Sequence, residues 1–328
     1  MLAVYIVRRI LWSIPFFFAA SLVAFALIQA PPGDYITSFA ASLAASGDIV
    51  DADRLEALRT RYGLDQPFIV QYWRWITGVI QGDFGISFEW QQPVSQLIWE
   101  RMGLSLALAF GTLTFTWAVA LPLGIFSAVK KYTIGDYLMT TIGFIGLATP
   151  NFLIALVMMY IAVVYFGADV SGLFSPEYQQ APWSFARFVD LLKHIWLPIA
   201  VLGLSATASL MRIMRANLLD ELQKPYVTTA RAKGLSEFRL LMKYPVRIAL
   251  NPFVSTIGWA FPQLVSGAVI TAVVLSLPTA GPLMLQALLA QDMYLAGAFI
   301  LLLCCLSIVG MLVSDILLAL VDPRIRFR

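Results

Sequence analysis

Six stretches of the chain contain no Asp, Glu, Lys or Arg: Ile10–Gly33, Met102–Val129, Tyr137–Ala168, Ile195–Met211, Ile248–Gln291 and Met293–Ser314. A helix needs ~20 predominantly apolar residues to cross the hydrocarbon core of a bilayer, and only helices and closed barrels satisfy their own backbone polar groups there. The composition agrees: of 328 residues 60% are hydrophobic and 12% charged, where a soluble domain has about 25% charged residues. The expected fold class is therefore an all-α membrane protein with six transmembrane helices. The fifth stretch is long enough for two spans, but Leu277-Pro278-Thr279-Ala280-Gly281-Pro282 interrupts it. It reads as one helix at about 248–276, then a turn and a short helix that need not cross.

Orientation follows the asymmetry of Lys and Arg between the two sides. With six spans, one side collects Arg8, Arg9, Lys130, Lys131, eight residues from Arg212 to Arg247, and Arg324, Arg326 and Arg328, which is 15 of 22. Both termini are expected on that side, the cytoplasm. Ile28-Gln29-Ala30-Pro31 lacks a small-x-small cleavage pattern, so the first apolar run reads as a retained anchor. The chain divides into 1–30 (N-terminal segment and first span), 31–101 (an extracytoplasmic cap) and 102–328 (a five-helix core containing a cytoplasmic loop, 217–247). In the cap, Leu55, Leu58 and Tyr62 share one helical face, Asp53 and Glu56 resemble a capping pair, and Gly63 suits a helix end.

Several chemistries are excluded or disfavoured. A formal charge of +3 gives no reason to expect a nucleic-acid partner, and a single histidine, His194, argues against metal or triad chemistry. Cys304 and Cys305 are adjacent in an apolar run and read as small core residues. No phosphate-cradling G-x-x-x-x-G-K-[ST] loop occurs, so ATP hydrolysis has no recognisable site in this chain. Asp292 and Asp315 read as boundary residues, and Trp73, Trp75, Trp183 and Trp196 as interfacial anchors. Polar residues do occur at membrane depth. Thr149, Pro150 and Asn151 break the third span, Ser205, Thr207 and Ser209 fall in the fourth, and Gln263, Ser266 and Thr271 in the fifth. They suit either hydrogen bonds between packed helices or the lining of a pathway; Asn151, Ser205, Ser209, Gln263 and Ser266 are the pathway candidates.

The loop from 217 to 247 is the most informative segment. Pro225 can open a short helix and Gly234 can end it in a left-handed turn. Ala230 and Ala232 keep that helix narrow, Arg231 and Lys233 charge its edge, and Tyr226 offers an amphipathic anchor. Such a helix could plug a groove on another protein, or the loop could rest on anionic lipid headgroups; from composition both readings stay open.

The run Tyr226-Val-Thr-Thr-Ala-Arg-Ala-Lys-Gly-Leu235, followed by Arg247-Ile-Ala-Leu-Asn-Pro252, resembles the coupling-loop motif of ABC-importer permeases, in the form of the dipeptide/oligopeptide/nickel family. Pro32-Gly-Asp34, Tyr62-Gly-Leu-Asp-Gln-Pro67, Gln71-Tyr-Trp-Arg-Trp75, Gly82-Asp-Phe-Gly-Ile-Ser87, Ala148-Thr-Pro-Asn-Phe152 and Asp322-Pro-Arg-Ile-Arg326 resemble that family in the same order. The cap resembles the first of the two permease types in such systems. Departures include Thr228 where the wider superfamily has a glutamate, the absence of His and Asn from Lys243-Tyr-Pro-Val-Arg-Ile248, and Ala280 in the turn after the fifth span.

The resemblance implies a type I ABC-importer permease fold in a bacterial inner membrane. It implies a second permease, expected to be a different chain, two ABC ATPase subunits carrying ATP and Mg, and an extracytoplasmic solute-binding protein. Membrane lipids surround the assembly, and this chain holds no cofactor. The function implied is passage of peptides by alternating access. Tyr226, Thr229, Ala230, Arg231, Ala232 and Gly234 would couple it to the ATPases, with Ala230 and Ala232 in closest contact. Oligosaccharides or nickel chelates are the alternative cargoes. An ATP-independent channel or proton-coupled carrier, or a membrane enzyme, are the other classes weighed.

Overall fold

The computed structural model describes residues 2–47, 52–167, 170–266 and 269–321. Its helices are α1 (Leu2–Gln29), α2 (Tyr35–Ser46), α3 (Ala52–Tyr62), α4 (Phe68–Ile80), α5 (Val94–Val129), α6 (Ile134–Ala148), α7 (Asn151–Phe166), α8 (Phe185–Leu222), α9 (Pro225–Ala232), α10 (Glu237–Lys243), α11 (Pro245–Ala249), α12 (Asn251–Ser255), α13 (Ile257–Ser266), α14 (Val269–Val274), α15 (Ala280–Leu289) and α16 (Met293–Val321). The fold is all-α, as expected; no strand occurs among the described residues.

Four helices are long and apolar enough to cross a membrane: Val7–Gln29 within α1, α5, α8, and Met293–Leu320 within α16. The expected third span qualifies only as the pair α6 and α7, bent by 103°. Thr149 has an extended ψ of 127°, as a residue before proline prefers, and Pro150 cannot donate back to α6. The single helix expected at 248–276 is corrected: the helix is interrupted at Leu250 and at Thr256, between α11, α12 and α13. Pro252 and Pro262 each remove a backbone donor there. Among the described residues, four long helices and one bent pair are the candidate spans. The short α15 after the Pro278 turn is as expected.

Helices also overrun the charge-free windows. α5 has 36 residues and α8 has 38, or about 54 and 57 Å at 1.5 Å per residue, against a hydrocarbon core of about 30 Å. Arg101, Arg212 and Arg215 do not stop a helix, because charge ends a span without breaking the backbone ladder. The loop expected from 217 consequently begins at Gln223.

The chain forms two compact units, residues 1–104 with 279–306 and residues 105–278 with 307–328. In the first, Phe25 of α1 packs on Phe68, Tyr72 and Trp75 of α4 at 5.4–5.6 Å between ring centroids. Trp75 is only 3% exposed, so it belongs to the core and is not the interfacial anchor expected; Trp73 is exposed. Asp34 caps α2 and accepts hydrogen bonds from Arg59 on α3 at 2.9 and 3.3 Å. Burial alone would raise the Asp34 carboxyl, but the hydrogen bonds from Arg59 and Thr37 outweigh it and lower it. α3 starts at Ala52, which places Asp53 in its first turn and not at its cap. Gly63 has φ +68°, the helix-ending conformation expected of it. Asp292, expected at a boundary, is fully buried. It accepts from Ser87 Oγ (2.5 Å) and from the backbone N–H of Glu89 and Leu295 (both 3.2 Å). Burial pushes this carboxyl up against the pull of those bonds.

The second unit is organised around α8. A β-carbon at Gly111 would stand 2.5 Å from Ile199, at Gly203 2.5 Å from Phe115, and at Gly124 2.6 Å from Met214. Positions on α5 and α8 thus advance together, and the two helices run parallel. Contacts between α6 and α8 run the opposite way, from Asp136–Arg215 through Gly143–Ala208 to Gly146–Leu204, so those helices are antiparallel. Small residues let the backbones approach, the usual means of helix association in lipid. The same device brings α13 to α16, where a β-carbon at Gly310 would lie 2.9 Å from the Gly258 carbonyl and Ser314 Oγ donates to the Val254 carbonyl. A core of Ala120, Ala128, Leu210, Met211, Met214, Leu218, Val246, Ala249 and Phe253 joins α5, α8, α11 and α12.

Asp136 is 2% exposed and receives both Arg215 Nε (3.0 Å) and Nη2 (2.8 Å), with Ser127 Oγ and the Tyr132 N–H as further donors. Removing one partner of such a pair leaves an uncompensated charge. Asp136→Asn is expected to lower stability by about 2–4 kcal/mol, less than a fully buried pair because Arg215 keeps some solvent contact. Thermal unfolding in detergent checks this, and the double variant Asp136→Asn/Arg215→Met should recover part of the loss. Equal melting of Asp136→Asn and wild type would refute the anchoring role.

Candidate coupling hairpin and polar cavity

The short helix expected in the basic loop is α9, with Pro225 in its first turn and Gly234, at φ +77°, just beyond its end. Gly234 has no atom within 4 Å of where a β-carbon would stand, so its demand is for the left-handed backbone alone. The turn folds α10 back onto α9. Val227, Ala230 and Leu240 form the buried seam between them, ringed by Tyr226, Leu235 and Tyr244. Ala230 is only 7% exposed. The expectation that it presents a close-contact surface to a partner is thus corrected, because a helix two turns long has one inward face and Ala230 lies on it. Thr228, Thr229, Arg231, Ala232 and Lys233 are exposed.

Two side-chain staples hold the hairpin, and both involve glutamates, Glu221 and Glu237, that carry no local motif. Tyr226 Oη donates to Glu221 Oε2 at 2.5 Å, tying α9 to the end of α8. Arg231 donates to both oxygens of Glu237, from Nε at 2.6 Å and Nη2 at 3.1 Å, tying α9 to the start of α10. The Arg231 guanidinium holds the Glu237 carboxyl below the ordinary glutamate range. Thr229 Oγ1 donates back to the Pro225 carbonyl at 3.0 Å. Arg231 is therefore engaged within the chain before any partner arrives. The spacing of Arg231 and Glu237, separated by a glycine turn, was the signal available for this pair.

The pathway candidates fall into two groups. Asn151, Ser205, Ser209 and Gln263 come together in the second unit, lining a cavity of about 320 Å³. Ser205 Oγ donates to Asn151 Oδ1 at 2.6 Å and to the Gly146 carbonyl at 3.0 Å, across the gap left by the α6–α7 bend. Ser266 does not line it; its hydroxyl donates to the Pro262 carbonyl at 2.8 Å. Thr112, Thr116 and Thr256 complete the polar lining. Thr112 and Thr116 lie one turn apart on α5, and that spacing, which puts both on one helical face, is the clue legible in the sequence. No charged or titratable side chain lines the cavity among the described residues. It can hydrogen-bond a neutral polar group, but it offers no general base or nucleophile.

A stapled hairpin beyond the end of α8 and an uncharged, largely apolar hollow in the same unit are the two candidate functional features. The family description "Binding-protein-dependent transport system inner membrane component" matches residues 120–327, and "Binding-prot-dependent transport system membrane comp, N-term" matches residues 1–109. The chain belongs to this family, whose members are multi-pass membrane permeases of ABC transport systems with the type I importer permease fold. It is 36% identical to the oligopeptide transport system permease protein AppB of Bacillus subtilis over 327 residues, covering 99% of this chain and 100% of the relative. It is 33% identical to a putative peptide permease protein of Brucella ovis, covering 98% of each. The dipeptide transport system permease protein DppB of Escherichia coli is 31% identical over 99% of each chain.

Ala230→Arg should open the hairpin, since a guanidinium cannot enter the Val227–Leu240 seam, whereas Ala232→Arg should leave it closed. Limited proteolysis at Arg231 and Lys233 separates the two; equal cutting would contradict the seam. The Arg231–Glu237 staple also has a defined pH dependence. Because the folded Glu237 value is depressed, its contribution is complete above the free glutamate value of 4.5 and is lost as pH falls through the lower folded value. A spin label at Thr228→Cys should gain mobility in that acidic window, and a Glu237→Gln background should remove the transition.

Proposed function

We propose that this chain is one of two permeases in an ATP-driven importer that takes up peptides delivered by an extracytoplasmic binding protein. The second permease is a different chain, and two ABC ATPase subunits carry ATP and Mg on the cytoplasmic side. Both termini and the α9–α10 hairpin face the cytoplasm, and residues 31–101 form the outer cap where the binding protein docks. The peptide cargo is supported by the names of the relatives, oligopeptide and dipeptide transport permeases.

The observation that carries the coupling role is the construction of the hairpin. A lipid-resting loop has no need of a buried apolar seam, a glycine turn and two staples. A piece that must transmit force does need them, because a floppy helix would absorb a partner's movement. In this reading the exposed face of α9, with Thr228, Thr229 and Ala232, contacts an ATPase. Tyr226 and Arg231 hold the helix in place for that contact, and Gly234 aims it. ATP binding draws the ATPases together, the hairpin passes the movement to α8 and α11, and the cavity side changes its exposure. Hydrolysis resets the inward-facing state.

The test is purification of the tagged chain from native membranes in mild detergent, with identification of bound subunits and an ATPase assay. An ATP-binding-cassette subunit and a second permease should come down together, with ATPase activity stimulated by the peptide-loaded binding protein. Ala232→Trp should lose that stimulation while its hairpin resists proteolysis like wild type. A folded wild-type chain that comes down alone, without ATPase activity, would favour an ATP-independent transporter.

A further inference from the structure

The turn between α5 and α6 carries a backbone that its own residue resists. Tyr132 has φ +63°, in the left-handed region that strains a bulky side chain and that turns ordinarily give to Gly or Asn. The fold holds it there. The Tyr132 N–H donates to Asp136 Oδ2 at 2.9 Å, and the Thr133 N–H and hydroxyl both donate to the Lys130 carbonyl, at 3.2 and 2.7 Å. Asp136 is in turn fixed by Arg215 of α8. The turn so held presents two cations and two large apolar bodies. Lys130 and Lys131 are exposed, with Lys131 Nζ 5.7 Å from the centre of the Tyr132 ring. Tyr132 is 71% exposed and Ile134 87%.

The turn stands at the depth of lipid headgroups. The charge-free stretch of α8 ends just before Arg212, and Arg215 follows Arg212 by three residues, about 4.5 Å along the helix. The headgroup layer beyond the hydrocarbon is about 5–7 Å thick on each side. Ile134 also begins a stripe: Leu138, Ile142 and Ile145 follow it on one face of α6, and all are exposed. From Ile134 to Ile145 the stripe runs about 16 Å, close to the ~15 Å of one leaflet's hydrocarbon. An apolar track one leaflet long, ending in two lysines with no acid among residues 130–134, has the outline of a single phospholipid. Lysine stems can lie along such a track while their ammonium groups meet a phosphate. We infer that this turn and the exposed stripe of α6 bind an anionic phospholipid, with its acyl chain along α6 and its headgroup on Lys130 and Lys131. The inference goes beyond the importer reading and needs neither ATPases nor cargo.

The experiment labels the full chain, in mild detergent, with phosphatidylglycerol carrying a photoreactive headgroup, and maps the labelled peptides. The peptide spanning the turn should be labelled. Unlabelled phosphatidylglycerol should compete there about thirtyfold better than phosphatidylcholine with the same acyl chains, the scale of two interfacial lysines. Lys130→Gln/Lys131→Gln should lose about thirtyfold of that labelling and Lys130→Gln alone about fivefold, whereas Lys130→Arg/Lys131→Arg should keep it. Tyr132→Gly relieves the strained backbone, so its expected loss of labelling reports the missing ring and not a damaged turn. Undiminished labelling of the double-glutamine variant, or equal competition by the two lipids, would overturn the inference. Competition by inorganic phosphate at the concentration where phosphatidylglycerol competes would assign the lysines to a free anion and overturn it equally. The same labelling is then done in native membranes, where the turn should again be labelled. A turn labelled in the isolated chain but not there is covered by a protein, which also overturns the lipid assignment.

Discussion

The second unit depends on how closely α8 can be approached. Gly111 and Gly124 on α5 and Gly203 on α8 leave room for Ile199, Met214 and Phe115. Gly143 and Gly146 do the same for α6 against α8. In lipid there is little hydrophobic gain from pressing helices together, so dispersion contact and polar bonds must hold them. The buried Asp136–Arg215 pair fixes one end of the α6–α8 contact, and the Ser205–Asn151 bond bridges α8 to the start of α7 near the other. Between them the register of the two helices has little freedom to slip.

That rigidity gives the hairpin something to push on. α9 is tied to α8 through Tyr226 and Glu221, and α10 continues into α11, whose Val246 and Ala249 sit in the same apolar core as Met214, Leu218 and Phe253. A displacement of α9 has two routes into the unit, one through a hydrogen bond and one through packed side chains. Both routes lead to α8, which also supplies Ser205 and Ser209 to the cavity. The link from loop to cavity is thus physical contact along one helix and needs no longer path.

Much of this was legible in the residues, and the gaps have physical causes. Charge-free windows located the long helices because lipid excludes charge, but they misplaced the ends, since nothing in a window's edge breaks a backbone ladder. Pro225 and Gly234 announced α9 correctly because proline and glycine act locally. The face on which Ala230 lies is not legible locally, because which side of a two-turn helix is buried depends on where α10 folds back. Asp136, Glu221 and Glu237 carry no local signal for the same reason, their partners being set by tertiary packing. The window from 248 is continuous in hydropathy, and only its prolines, Pro252 and Pro262, signal that a single helix is not favoured there. The joining of 279–306 to the N-terminal unit has no local signature at all.

The contacts of α9 and α10 with α8 and α11 require the hairpin and the α5–α8 core to move as one body. Spin labels at Thr228→Cys on α9 and Lys130→Cys just past the end of α5 measure it directly in the assembled transporter, by distance distributions with and without a non-hydrolysable ATP analogue. The 228–130 distance is expected to be unchanged in both states, while a label at 228 changes its distance to the proposed second permease. A shift of several ångströms between 228 and 130 on nucleotide binding would contradict it, because the hairpin would then swing on the core instead of carrying it.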